Sequence, residues 1–177
     1  ASNLSKFSHI MRETLESTYK EFISIEQEIE FLTQYLEVQK VHFPGTFSYE
    51  MNTSEDLETD ELFIPPMIIQ PFIENSIEHA FAGLGYKGEI NVSFQKKNKE
   101  LLISITDNGK GLPSPGQKNS EHISRATQII RDRIYLLNRK LKTKAAYQIS
   151  NGENKPGAQV MIQLPLIYKD QILNASS

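Results

Sequence analysis

The segment Pro66-Met-Ile-Ile-Gln-Pro-Phe-Ile-Glu-Asn-Ser-Ile-Glu-His-Ala80 carries two faces at helical spacing. At about 100° per residue, Ile69, Ile73, Ile77 and Ala80 gather on one side, and Asn75, Glu78, His79 and Ala82 on the other. Pro65 and Pro66 suit an opening turn, whose amides have no intrahelical partner, so the spacing predicts a helix from there to about Ala82. One side is core and the other is a polar strip. Asn in mid-helix competes for the backbone, so Asn75 points to an external partner for its amide, although a solvated helix face also accounts for these residues.

Downstream, alternation predicts strands near Glu89 to Lys96 and Glu100 to Asp107, paired as a hairpin through Lys97, Asn98 and Lys99. Asp107-Asn-Gly-Lys-Gly-Leu-Pro113 follows at the strand end, where Gly109 and Gly111 permit a sharp turn or a close approach to a ligand. A planar ligand with an exocyclic amine could donate to the Asp107 carboxylate; a tight turn would use Asp-Asn-Gly equally well. From Gly109 to about Ser120 the chain is rich in Gly and Pro and poor in apolar residues, the makings of a lid. Helical spacing returns from Ile123 to Leu141, and strands near Ala146 to Ser150 and Ala158 to Leu166 flank a turn.

Upstream, Ser24 and Gln27 have capping-box spacing and open a helix with Ile25, Ile29, Leu32 and Leu36 in one apolar row; Pro44 and Gly45 end it. Phe47, Tyr49 and Met51 alternate as a strand. Before these, Leu4, Phe7, Met11, Leu15, Tyr19 and Phe22 form a narrow stripe that suits a neighbouring helix, a second copy, a missing segment or the chain's own domain. The fold expected is α/β: a two-layer sandwich with helices on one face of a mixed, mostly antiparallel sheet.

Composition narrows the function classes. In 177 residues, 38% hydrophobic and 23% charged, there is material for a core and too little charge for a solvating tail. The balance of 19 basic against 22 acidic residues, formally −3, removes the broad attraction that nucleic acid would need. Without Cys there is no disulfide, thiolate metal site or thiol nucleophile, which suits a reducing cytoplasm. The longest apolar run, Phe63 to Ile73, is broken by Pro65, Pro66, Gln70 and Pro71 and reads as neither a membrane span nor a signal peptide.

Together, and in this order, the segments around Asn75 and Asp107 resemble the nucleotide-binding signature of the GHKL superfamily of ATP-binding domains. Pro65 to His79 is most similar to the N box of LytS-type sensor histidine kinases, which typically shows Gln-Pro-Leu-Val-Glu-Asn-Ala-x-x-His. Ser24 to Leu36 with His42-Phe43, Arg131-Asp-Arg-Ile-Tyr-Leu-Leu137 and Gly157-Ala-Gln-Val-Met-Ile-Gln-Leu-Pro165 resemble further segments of that branch. Four motifs in sequence order are more specific than any one of them.

The resemblance implies ATP and Mg²⁺ as ligands: Asn75 holding Mg²⁺ on the phosphates, Asp107 accepting from the adenine amine, Gly109 and Gly111 in the first glycine box, and His79 facing the same cleft. Ser124 and Ala126 occupy the second glycine box, where the superfamily usually has Gly-x-Gly. Glu78 stands where related kinases often carry Lys, and Pro71 replaces the Glu of ATP-hydrolysing relatives. None of His9, His42, His79 and His122 has the Pro-His-Phe context of the branch's phosphate acceptor. The implied organisation is the end of a dimerisation and phosphotransfer helix over 1–22, a catalytic ATP-binding domain over 23–168 and a tail over 169–177. The implied protein is a cytoplasmic histidine kinase domain of a homodimeric, membrane-anchored parent. It would phosphorylate a histidine on a preceding helix and serve a response regulator. The competing expectation is a degenerate module that docks a partner and binds nucleotide weakly or not at all. A metal site of Glu74, Glu78 and His79 has less support, since about 140° of helix separates Glu74 from His79.

Overall fold

Ser24 caps the first helix as its spacing to Gln27 predicts. In the computed structural model, which describes residues 21–114, 120–153 and 156–175, the Gln27 amide donates to Ser24 Oγ at 3.1 Å and the Ser24 amide to Gln27 Oε1 at 3.2 Å. The expected helix over 4–22 lies outside the described residues except for Glu21 and Phe22. Helix α1, Ile25–His42, stops at Phe43, just before Pro44 and Gly45. It buries Ile25, Leu32, Tyr35 and Leu36, and with them the polar side chains of Glu28 and Gln39. Among the described residues the Glu28 carboxyl oxygens find no hydrogen-bond partner, and burial pushes its pKa up to about 8.

Five strands form the main sheet: β2 (Phe47–Thr53), β4 (Gly88–Lys97), β5 (Glu100–Asp107), β6 (Ala146–Asn151) and β7 (Ala158–Pro165), in the order β2-β4-β5-β7-β6. Only β2 and β4 pair in parallel; the other three pairs are antiparallel. The β4–β5 turn places Asn98 and Lys99 at φ 51° and 65°, the conformation of a two-residue hairpin turn that follows strand twist. Ile90, Val92 and Phe94, Leu101, Ile103 and Ile105, and Val160, Ile162 and Leu164 point to one buried face, as a period of two requires. Helix α3, Ser120–Leu141, contributes Ala126, Ile130, Ile134 and Leu137 to the core. Among the described residues no helix is long and apolar enough to cross a membrane.

Three elements depart from the sequence reading. Pro65 and Pro66 do not open a helix: Phe63–Ile64 (β3) pairs antiparallel with Ile23–Ser24 (β1), and Met67 takes φ 66° before helix α2, Gln70–Asn75, begins. A residue preceding proline is pushed out of helical conformation, and Pro71 instead fills the first-turn position. Secondly, α2 continues as a π-helical turn over Ser76–Ala80, in which the Phe81 amide donates to Ser76 O at 3.0 Å. Thirdly, the expected tail contains a short helix, α4 (Lys169–Ala175), held because Ile172 packs against the core, Gln171 Oε1 accepts from the Tyr168 amide at 2.8 Å, and the Tyr168 hydroxyl donates to Glu58 at 2.8 Å.

Candidate nucleotide site

Strand β5 ends with Asp107 at the rim of the sheet, beside the π turn, in a cleft whose lining includes Phe72, Asn75, Ser76, His79 and Ala80. Ile105, Ile149 and Val160 form its apolar floor; Lys110, Gly111, Leu112, Pro113, Ala158 and Ile123 complete the rim. An apolar slot with a few convergent polar groups is the general form of a small-molecule site.

The π turn changes which residues share the cleft. Ala80 packs against the core and also lines the cleft, as does Ser76, which is itself buried. Glu78 leaves the strip: it is exposed, does not line the cleft, and lies 3.9 Å from His79 Nε2. The Glu78 carboxylate is thus outside the cleft lining, beside the His79 ring.

Asp107 is held by four groups. Its Oδ1 accepts from the backbone amides of Gly109 at 2.8 Å and Ala158 at 3.2 Å, and its Oδ2 accepts from Ser76 Oγ at 2.7 Å. The fourth is the backbone of Gly157, at φ 123°, where a Cβ would fall 1.8 Å from the Asp107 carbonyl oxygen. Only glycine admits that approach. Gly109 serves close packing as well: a Cβ there would meet Ala80 Cβ at 2.6 Å. The next residue, Lys110, donates from its amide to Ala80 O at 3.2 Å and from Nζ to Ala82 O, so the loop is buttoned to the end of α2. Asn108 fastens the other side, accepting from the Glu89 amide at 2.7 Å and donating to Lys87 O at 3.2 Å.

Of the site residues singled out in the sequence, Asn75, His79, Asp107 and Gly111 line one cleft and Gly109 packs directly behind it. Ser124 and Ala126 do not join them. Both lie in α3, where Ser124 is exposed and Ala126 is buried in the core, and Ile123 is the residue of that turn that reaches the cleft. Ser76, Lys110 and Ala158 were missed. A hydroxyl after the Asn was the available signal for Ser76, but its partner lies 31 residues away. Among the described residues no group of three or more His, Asp or Glu side chains is arranged to hold a metal ion.

The chain is similar to known proteins in sequence and in fold. A family model described as histidine kinase matches residues 1–47. The sensor protein LytS of Staphylococcus saprophyticus is 34% identical over 112 residues, covering 62% of this chain and 18% of that protein. LytS of Bacillus subtilis is 29% identical over 175 residues, covering 92% of this chain and 28% of that protein. Homologues of the chain are LytS sensor histidine kinases. The chain spans well under a third of the length of these LytS relatives. The fold likewise matches histidine kinase catalytic domains: that of ThkA, at TM-score 0.55 and 16% identity, covers 82% of this chain and 94% of its own. Acinetobacter baumannii AdeS aligns at TM-score 0.57 and 13% identity over 93% of this chain and 81% of that one. A further solved structure holds ThkA in complex with the response regulator protein TrrA, at TM-score 0.53 and 16% identity, covering 94% of this chain and 49% of that one.

Proposed function

We propose that the chain is the ATP-binding catalytic domain of a two-component sensor histidine kinase, transferring the γ-phosphate of ATP to a histidine on a preceding helical segment for relay to a response regulator. The observation that carries this reading is Asp107 Oδ2, a carboxylate oxygen fixed at one end of an apolar slot that has Asn75 and His79 on its facing wall. In this reading the slot takes the adenine ring and Asp107 accepts from its amine. Asn75 supplies one amide oxygen, a donor suited to Mg²⁺, which is usually held by few protein ligands and completed by phosphates and water. Bound Mg²⁺ would neutralise charge developing on the transferred phosphoryl group. The chain's own contribution is positioning: the clasp on Asp107 fixes the base and so sets how far the phosphates reach toward the acceptor.

The LytS relatives are much longer than this chain, which supports a parent with further domains. In this reading residues 1–22 belong to its dimerisation and phosphotransfer helix and 23–168 to the catalytic domain, on the cytoplasmic side of a membrane-anchored homodimer. The test is acid-labile phosphate on the full-length protein incubated with Mg²⁺ and ATP. Labelling of an upstream histidine, abolished by Asp107→Ala, is expected; a label mapped to His9, His42, His79 or His122 would contradict it.

A second reading, a degenerate module that docks a partner with little nucleotide binding, is favoured by one observation, the position of Ser124 and Ala126 away from the cleft. Full-length protein that folds and dimerises but takes no label would select it.

A further inference from the structure

The Ser76 hydroxyl has one proton and two acceptors within reach, Asp107 Oδ2 at 2.7 Å and Phe72 O at 3.0 Å. Phe72 O already accepts from the Ser76 amide, so the helix does not depend on the hydroxyl. Asp107 likewise keeps two backbone donors on Oδ1 whatever the hydroxyl does. The proton is therefore free to move without stranding a buried group, a condition that would otherwise cost more than the new bond returns. Ser76 is 5% exposed and lines the cleft beside Asp107. At this point the wall thus presents an acceptor, Oδ2, and next to it a hydroxyl able to turn its proton toward a ligand. The Watson–Crick edge of adenine has the matching pair: an amine donor and, beside it, a ring nitrogen acceptor. The LytS-type string carries Ala after its Asn, so the hydroxyl is an addition that the resemblance does not explain.

We infer that Ser76 is a base-reading residue, its hydroxyl donating to the ring nitrogen beside the adenine amine while Asp107 Oδ2 accepts from the amine itself. This rests on the adenine-nucleotide reading of the cleft and adds a second polar contact to it. Within the free protein the same hydroxyl holds Asp107 Oδ2, so ligand binding exchanges one hydrogen bond for two. A site built around such a contact discriminates against an analogue that lacks the group it pairs with.

The experiment compares ATP with 1-deaza-ATP, in which a C–H replaces that ring nitrogen, by calorimetric titration of the whole chain and of Ser76→Ala. The parent should bind ATP roughly three- to tenfold more tightly than 1-deaza-ATP, the worth of one neutral hydrogen bond. Ser76→Ala should lower ATP affinity by the same factor and leave 1-deaza-ATP unchanged. Equal losses for both ligands would show that Ser76 only positions Asp107, and an unchanged ATP affinity would show that it does neither; either result overturns the inference. The parent's own preference between the two ligands needs no variant, and its absence also overturns it. If the parent binds ATP but ignores the ring nitrogen, the nucleotide reading stands and this inference alone fails. If the parent binds neither ligand, both fail.

Discussion

Asn151 Oδ1 accepts a hydrogen bond from the backbone amide of Leu112 at 2.7 Å, tying the chain just beyond Gly111 to the end of strand β6. The loop after Asp107 is thus fastened at Asn108, Lys110 and Leu112 in turn. Glycines at 109 and 111 read in the sequence as permitting a sharp turn or a close approach to a ligand; here Gly109 is a close-packing residue and Gly111 makes the turn, at φ 80°.

Asn151→Ala should therefore release the base of the loop. Hydrogen exchange at the Leu112 amide is expected to speed up roughly fivefold, the equivalent of about 1 kcal/mol of lost hydrogen bonding, while the Lys110 amide changes little. Equal acceleration at both positions would mean that the loop opens as one unit.

Gly157 and Gly45 separate steric from conformational cost. Both have positive φ, 123° and 71°, but a Cβ at Gly45 meets nothing within 4 Å, whereas one at Gly157 strikes the Asp107 carbonyl. Gly45→Ala should cost about 1 kcal/mol and Gly157→Ala several times more in urea unfolding. Similar losses at the two sites would show that β6–β7 can move off Asp107 cheaply.

Buried Glu28 gives stability a pH signature. Its folded pKa of about 8 lies above the ordinary 4.5, so between these values the unfolded chain has shed a proton that the folded chain retains. The favourable contribution is complete below the lower value and is lost at about 1.4 kcal/mol per pH unit as pH rises to the upper one. Glu28→Gln should remove that slope, so stability relative to the parent rises by several kcal/mol from about pH 5 to about pH 8. Parallel profiles in urea unfolding would show that Glu28 titrates normally.

Local signals explain what was legible beforehand. The Ser24–Gln27 box, the Asn98-Lys99 turn and the alternation in β4, β5 and β7 involve residues close in sequence, and each was readable. Phe63–Ile64 was not, because its partner strand is 40 residues away and its pairing overrides the helix-opening tendency of Pro65 and Pro66. The π turn at Ser76–Ala80 was also hidden, since a fixed step of about 100° per residue cannot represent i→i+5 bonding. Its effect was to misplace Glu78, while Ala80 packs against the core and Asn75 and His79 line the cleft. Ser76 offered only its hydroxyl as a signal, because, as with Phe63, its role depends on a distant residue, here Asp107.

In the proposed reading Asn75 serves the metal rather than the base. Asn75→Ala should weaken Mg²⁺-dependent ATP binding by roughly tenfold and metal-free ADP binding by much less. Equal losses would make Asn75 a structural residue of the π turn.

A titration of the parent chain and of Asp107→Ala with ATP and with GTP shows whether this cleft binds adenine nucleotide through Asp107. The parent should bind ATP in preference to GTP, and Asp107→Ala should lose most of the ATP affinity and with it the preference. An Asp107→Ala chain that remains folded and binds ATP as tightly and as selectively as the parent would contradict base recognition by Asp107.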